Sequence, residues 1–416
     1  MLRRLLSLAT SLTTATALTL AALPAPAEAA TTACRPGAGS PRCSVWTGKV
    51  SWVADGDTLL VDVNGDGTKT PRSIRLIGVQ AMEQHVYSPQ PAKRRGDCHA
   101  IEATARVEQL VKAGKGVVRM TAQKSGSQSR SRPLRSMSVK INGKWRDIGE
   151  DLVRHGYALW LPFAGEWAWD SAYELAEANA AAEKNLMWDD DYCGTGPAQD
   201  AQLSVWANSD ADGDDATNLN GEWVRIGNTG AQPVPIGGWW VRDSGLRRYT
   251  FAAGAEVPAG GAVYVHVGKG ADTATDKYWG LTAPIFTNVD PLGHSVGDGA
   301  YLFDPQGDLR QAMLYPCRVH CGSPLTGKVT LRVKYAGVEK IEVVNTSDQP
   351  VDLQGHAVVS RYQHRFEEST VLQPGESLEV QLAGGRRVLD DAGGEVRLQT
   401  ADMWTVACRW WGTGKC

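Results

Sequence analysis

The rear half of this 416-residue chain repeats itself. Glu222–Gly238 (EWVRIGNTGAQPVPIGG) lines up with Glu339–Gly355 (EKIEVVNTSDQPVDLQG), Arg247–Phe251 with Gln363–Phe366, and Val257–Gly260 with Leu372–Gly375. Both copies then run through a Met to Cys-Arg and a second Cys. A repeat of this period is one folding unit used twice. Each unit alternates apolar and polar residues between Gly, Pro and Asn turns, which predicts a β-sandwich of roughly 100 residues per copy. The residues ahead of the repeat must form something else, because the chain is too long for one domain at ~150 residues. The 45 Gly and 20 Pro also favour β-rich modules over a helical bundle.

Residues 1–30 read as a secretory leader rather than as part of the fold. Arg3 and Arg4 precede an apolar stretch, and Ala27-Glu28-Ala29 is a small-residue cleavage site. The stretch is interrupted by Thr and Ser and is shorter than the ~20 residues a membrane helix needs. The expectation is a secreted, extracellular protein with no membrane span. In that setting the 8 cysteines read as disulfides. Cys34 and Cys43 bracket a Gly/Pro/Ser loop, and Cys98 and Cys193 flank the helical part of the front half. Cys317 and Cys321 close one rear segment, and Cys408 and Cys416 the other. The alternative is a zinc site at Cys317, His320 and Cys321.

The front half mixes strand and helix signals. Trp46–Val63 alternates, Asn64-Gly65-Asp66-Gly67 is a hairpin connector, and Ser73–Val79, Val117–Ala122 and Leu134–Ile141 are further strands. Asp97–Ala113, Ile148–Ala158 and Trp167–Trp188 carry helical spacing. Cys193–Pro197 is a polar, turn-rich boundary, which predicts a front domain that folds and acts without the rest. Charge divides the same way. Residues 31–197 hold 22 Lys+Arg and 19 Asp+Glu, net +3, whereas residues 198–416 hold 19 and 26, net −7. Lys112–Arg146 contains ten basic residues and no acidic one, a footprint for a polyanion. The negative rear half argues against strong direct DNA binding there.

Ala54-Asp-Gly-Asp-Thr58 places an acid pair at a strand end, and Arg75 and Glu83 follow. Phosphodiester cleavage by water needs a cation near the phosphate, a group to deprotonate water, and donors for charge growing on phosphate oxygens. Asp57, Glu83 and a pair of arginines supply those parts. No Ser-His-Asp order, nucleotide-binding glycine loop or zinc-protease helix is present in the sequence.

Val53-Ala-Asp-Gly-Asp-Thr58, Ile74-Arg-Leu-Ile-Gly-Val79, Glu83, Arg132-Pro-Leu134, Ile148–Ala158 and Glu183–Trp188 occur in one order over residues 46–190. That order resembles the staphylococcal-type thermonuclease family. The resemblance implies an α+β OB-type five-stranded barrel with three helices over residues 44–193, and a metal-dependent nuclease acting on DNA and/or RNA. It assigns Arg75 and Arg132 as the catalytic arginines and Glu83 as the group that activates water. Arg135 is the rival to Arg132. It assigns Asp57, Gln80 and the Ala81 carbonyl as ligands of Ca2+. Gln80-Ala-Met-Glu83 replaces the family's usual Asp-Thr-Pro-Glu, which removes one negative charge and leaves room for a different divalent ion.

Leu219–Ile226, Gly238-Trp-Trp-Val-Arg-Asp243, Arg247–Phe251 and Gly297–Phe303 resemble the lamin-tail domain, an immunoglobulin-like sandwich. The rear half therefore reads as one such module at 200–321 and a divergent one at 326–416, in which His356-Ala357 replaces the Trp pair. The whole chain is thus expected to be β-rich and multidomain. The rear modules are expected to bind or tether, with nucleic acid, a cell-wall polymer or a protein as partner. Asp62–Gly67 reads as a hairpin turn rather than a helix-loop-helix calcium loop. Asp210–Asp215 reads as an exposed polar loop or a second calcium site. Two functions remain: a secreted calcium-dependent nuclease, and a non-catalytic nucleic-acid-binding protein on a degenerate nuclease barrel.

Overall fold

A computed structural model describes residues 31–36, 39–288, 297–383 and 387–416. The expected leader at 1–30 lies outside the described residues. The front half is a closed barrel of β1 (Arg42–Val53), β2 (Thr58–Val63), β3 (Arg72–Leu76), β4 (Val117–Ala122) and β5 (Arg132–Ile141). Antiparallel pairs join β1 to β2, β2 to β3, β5 to β4 and β4 back to β1. β3 and β5 run parallel, with Leu134 opposite Arg75. A parallel pair needs a long crossover, and α1 (Ala100–Ala113) with β4 supplies it. A register shift at Val50/Trp52 bends the long β1 so that it serves two neighbours. This is an OB-like barrel, filled by Leu59, Val61, Leu76, Val107, Met120, Met137 and Val139.

α2 (Ile148–Arg154) starts where the Asp147 carboxylate accepts from the Glu150 N–H at 3.2 Å. The expected helix over 148–158 is shorter than its sequence pattern. Gly156 takes φ +73°, and a Cβ there would lie 2.0 Å from the Asn185 carbonyl. The chain turns instead, and Ala158–Trp160 pairs with Val79–Ala81. That short ladder fixes the backbone of Gln80 and Ala81. α3 is Asp170–Ala182, flanked by single 3-10 turns, so the helical stretch expected over 167–188 is broken into three pieces.

Behind the barrel lie several sheets of the immunoglobulin-like kind. In the first rear unit, Leu203–Asn208, Trp223–Asn228, Ala262–His266 and Asp276–Tyr278 form one sheet. Arg248–Thr250, Trp240–Arg242, Asp298–Phe303 and Leu309–Tyr315 form the other. The second unit pairs Val329–Lys334, Lys340–Asn345 and Ser377–Val380 against a four-stranded sheet ending at Gly412. The repeated Asn has one role in both. Asn228 Nδ2 donates to the carbonyls of Gln232 (2.7 Å) and Val257 (3.3 Å), and Asn345 Nδ2 to those of Gln349 (2.7 Å) and Leu372 (3.0 Å).

Four disulfides join Cys34–Cys43, Cys98–Cys193, Cys317–Cys321 and Cys408–Cys416. The Cys317–Cys321 bond removes the zinc alternative, because neither sulfur is a thiolate. Among the described residues no helix is long and apolar enough to cross a membrane.

The polar boundary at Cys193–Pro197 does not separate two independent bodies. Met82, Ala100, Leu159 and Met187 of the front half pack with Trp240, Tyr301, Phe303 and Leu309 of the first sandwich in one core. Trp240 stacks on Phe303, centroids 4.0 Å apart and 6° between planes. Tyr301 donates to Glu177 on α3 at 3.1 Å, and Arg318 pairs with Glu174 at 2.7 Å. The acidic loop at 210–215 is likewise a junction. Gln363 Nε2 donates to the Asp210 carbonyl (3.0 Å), the Gln363 N–H to Asp212 (3.1 Å), and Arg365 to the Asp210 carbonyl (3.2 Å). The loop is exposed at Asp210, Asp212, Gly213 and Asp214, as expected, and it also docks the second sandwich on the first.

Candidate active site

The turn between β1 and β2 carries Asp55 and Asp57. The Asp57 N–H donates to Asp55 Oδ1 at 3.1 Å, which holds the turn tight. Asp57 is buried, with Oδ1 accepting from the Thr58 hydroxyl (2.9 Å) and Oδ2 from the Ala81 N–H (3.2 Å). β3 brings Arg75 opposite Thr58, and its Nη1 reaches Asp57 Oδ2 at 2.5 Å. Arg75 Nη2 donates to Gln80 Oε1 at 2.7 Å. Gln80 Nε2 in turn donates to the Ala81 carbonyl (3.0 Å) and to Glu83 Oε1 (3.3 Å). Arg132, at the start of β5, donates to Thr58 Oγ1 at 3.0 Å.

The fold therefore brings Asp57, Arg75, Gln80, Ala81, Glu83 and Arg132 into one cluster at the barrel mouth. Arg135 is elsewhere. Its guanidinium lies 3.9 Å from the Trp46 ring centroid and donates to the carbonyls of Ser125, Ser127 and Leu134. Alternation along β5 sends residues 132 and 135 to different faces, so Arg132 is the arginine at the site.

Three carboxyls share this small volume. Burial, then the charge of Asp57, raises the Glu83 pKa above its ordinary value, against the pull of Arg75, Gln80 and Arg242. Burial and the neighbouring Asp57 push Asp55 up to about 7. The Tyr87 phenol is raised by burial and then by the negative charges of Asp55, Glu83 and Asp57. Perturbed groups gathered around a cleft mark a site. Asp55 was visible in the sequence as the first acid of the pair. Tyr87 carries no motif of its own.

A cleft of about 350 Å³ opens beside this cluster. Arg75, Gln80, Arg130 and Arg132 line it from the barrel, and Asp243 and Arg247 from the first sandwich. Arg242, behind it, is buried and donates to the Asp243 and Ser244 carbonyls at 2.9 and 2.8 Å. No front-half motif could have found the sandwich residues, because their contribution depends on how the two halves pack.

A divalent ion does not fit the expected donors as they stand. Asp57, the one carboxylate among them, is ion-paired to Arg75. The Ala81 carbonyl already accepts from Gln80, and the Gln80 carbonyl oxygen faces the guanidinium. Asp62 and Val63 end β2, and residues 64–67 form the turn, in which Asp66 binds Arg72 at 2.8 Å and caps the Thr68 N–H at 3.0 Å.

Residues 199–316 match the family model of the lamin tail domain. No curated protein matches the chain.

Proposed function

We propose that the chain is a secreted nuclease that hydrolyses phosphodiester bonds of DNA, and of RNA where the strand enters the same cleft. The observation that carries this reading is one hydrogen-bonded set beside the cleft, in which Gln80 joins Glu83 to Arg75, Asp57 and Thr58 join Arg75 to Arg132, and both arginines line the cleft. Arg75 and Arg132 present guanidinium forks to the non-bridging phosphate oxygens, where charge grows in the transition state. Glu83, with its pKa raised above its ordinary value by burial and the charge of Asp57, takes a proton from the attacking water. Arg130 and Arg247 widen the positive rim for flanking phosphates. The thermonuclease resemblance and the OB-like barrel support the same reading. The four disulfides and the expected leader support export to an oxidising compartment. In this reading the second sandwich tethers the enzyme to a wall polymer or a protein.

The test is hydrolysis of single-stranded DNA and RNA by the full chain and by Glu83→Gln. The substitution keeps size and removes the base, and is expected to slow cleavage about 100- to 10,000-fold. Equal rates in the two proteins refute the assignment. The closed hydrogen-bond set around Gln80 also favours a second reading, nucleic-acid binding without cleavage. Binding with no turnover in either buffer of the experiment below selects it.

A further inference from the structure

Gln80 is 2 % exposed, and its amide is spent on three partners. Its oxygen accepts from Arg75 Nη2 at 2.7 Å, and its nitrogen donates to the Ala81 carbonyl at 3.0 Å and to Glu83 Oε1 at 3.3 Å. These partners fix which way the amide points. Turned over, it would set NH2 against a guanidinium and a carbonyl oxygen against two acceptors. A divalent ion bound here would stand in front of the Ala81 carbonyl and beside the carboxylates. The Gln80 NH2 group occupies that place. Asp57, the carboxylate expected to bind an ion, has Arg75 Nη1 2.5 Å from Oδ2, the Ala81 N–H 3.2 Å from Oδ2 and the Thr58 hydroxyl 2.9 Å from Oδ1. An ion entering would compete with these contacts, and it would meet two arginines in the same volume.

We propose that the Gln80 carboxamide stands in for the cation in this cleft, so that the site takes a phosphodiester and cleaves it without a divalent ion. The cleavage half of this statement rests on the reading given under Proposed function; the bridge itself does not. In the step, water oxygen bonds to phosphorus as one water proton passes to Glu83. The bond from phosphorus to the leaving oxygen breaks, and that oxygen takes a proton from solvent. Arg75 and Arg132 meet the charge on the non-bridging oxygens, and Gln80 holds Arg75 and Glu83 in mutual register.

The experiment titrates calcium into the full chain by calorimetry and follows cleavage of a single-stranded DNA in EDTA and in calcium at about 10 mM, well above the weak-site range of dissociation constants. The natural chain is expected to show no calcium binding that Asp57→Asn removes, and cleavage rates equal within about twofold in the two buffers, because no ion is bound. Gln80→Glu keeps the side-chain length but sets a second oxygen against Ala81 and Glu83. It is expected to gain an Asp57-dependent calcium site with a dissociation constant on the order of 0.1–1 mM. Gln80→Asp is the second variant, and circular dichroism confirms that each is folded. Asp57-dependent calcium binding by the natural chain overturns the proposal, as does cleavage that EDTA abolishes and calcium restores. If neither buffer supports cleavage, the nuclease reading fails. The calorimetry still decides the bridge: binding absent in the natural chain and gained in Gln80→Glu supports it, and any other pattern overturns it.

Discussion

Replacing Glu177 with Gln isolates one proton at the junction of barrel and sandwich. Glu177 lies on α3, 1 % exposed, and accepts from the Trp160 N–H and the Tyr301 hydroxyl, each at 3.1 Å. Tyr301 belongs to the sandwich, so the carboxyl is part of what joins the two halves. Burial pushes its pKa up from 4.5 to about 8, against the two hydrogen bonds and with the help of Asp298 and Glu174. A carboxyl raised on folding holds its proton more tightly in the folded state. Its contribution to stability is therefore full below the unfolded pKa and is lost as pH rises through the folded one. Between about pH 4.5 and 8 the folded protein carries one proton more than the unfolded chain, and stability falls by about 1.4 kcal/mol per pH unit from this group. Across the window that amounts to roughly 3–5 kcal/mol, a large share of a typical folding free energy. Gln keeps the shape and the acceptor but does not titrate. Urea unfolding of both proteins, followed by tryptophan fluorescence at several pH values inside the window, reads the difference. The variant is expected to gain on the natural protein by about 1.4 kcal/mol per unit of rising pH. Parallel pH profiles would show that Glu177 titrates normally in the fold and that the burial argument is wrong.

Arg75→Lys and Arg132→Lys are each expected to lower turnover by about 10- to 1,000-fold with a smaller effect on DNA affinity, since an ammonium cannot fork onto two phosphate oxygens. A loss confined to KM contradicts this. Arg135→Lys is expected to leave turnover unchanged and to cost about 1–3 kcal/mol of stability in denaturant titration, through lost carbonyl contacts and the Trp46 stack. A silent Arg132→Lys beside a damaging Arg135→Lys reverses the assignment. Ending the chain after residue 321 is expected to keep soluble, active protein, whereas ending it after 197 exposes the faces of Met82, Leu159 and Met187 and is expected to give aggregated or inactive protein by size exclusion and DNA cleavage. A soluble, active 31–197 fragment would show that the sandwich is dispensable.

The barrel and its site were legible because their signals are local. Trp46–Val63 alternates around its turn, and Asp57, Arg75 and Glu83 sit at or beside the ends of short strands. Arg132 was separable from Arg135 only by register, and the fold sets Arg132 beside Thr58 and Arg135 on Trp46. The short α2 was not legible, because its end depends on Gly156 meeting the Asn185 carbonyl from a distant part of the chain. The role of Gln80 was half legible. Its sequence shows a neutral amide where a charge was expected, but only the fold shows the amide turned toward Ala81 and Glu83.

The junction of barrel and sandwich carried a signal that reads clearly once the two rear copies are laid strand on strand. In the first, Val241 pairs with Leu302 and Trp240 with Phe303; in the second, Val358 pairs with Leu398 and Ala357 with Gln399. Val241, Leu302, Val358 and Leu398 face the sandwich interior in both. The opposite face is Trp240, Tyr301 and Phe303 in the first copy, and Ala357, Arg397 and Gln399 in the second. The first face is aromatic and buried, whereas Arg397 and Gln399 of the second are only half-buried, so Ala300–Phe303 is an unbroken apolar run where Val396–Gln399 alternates. Of the Trp pair missing from the second copy, Trp239 fills the first sandwich's own core, while Trp240 belongs to the junction. The same strand carries Arg242 and leads into Asp243 and Arg247 at the cleft. Of the two repeats, the first is the one that contributes residues to the cleft.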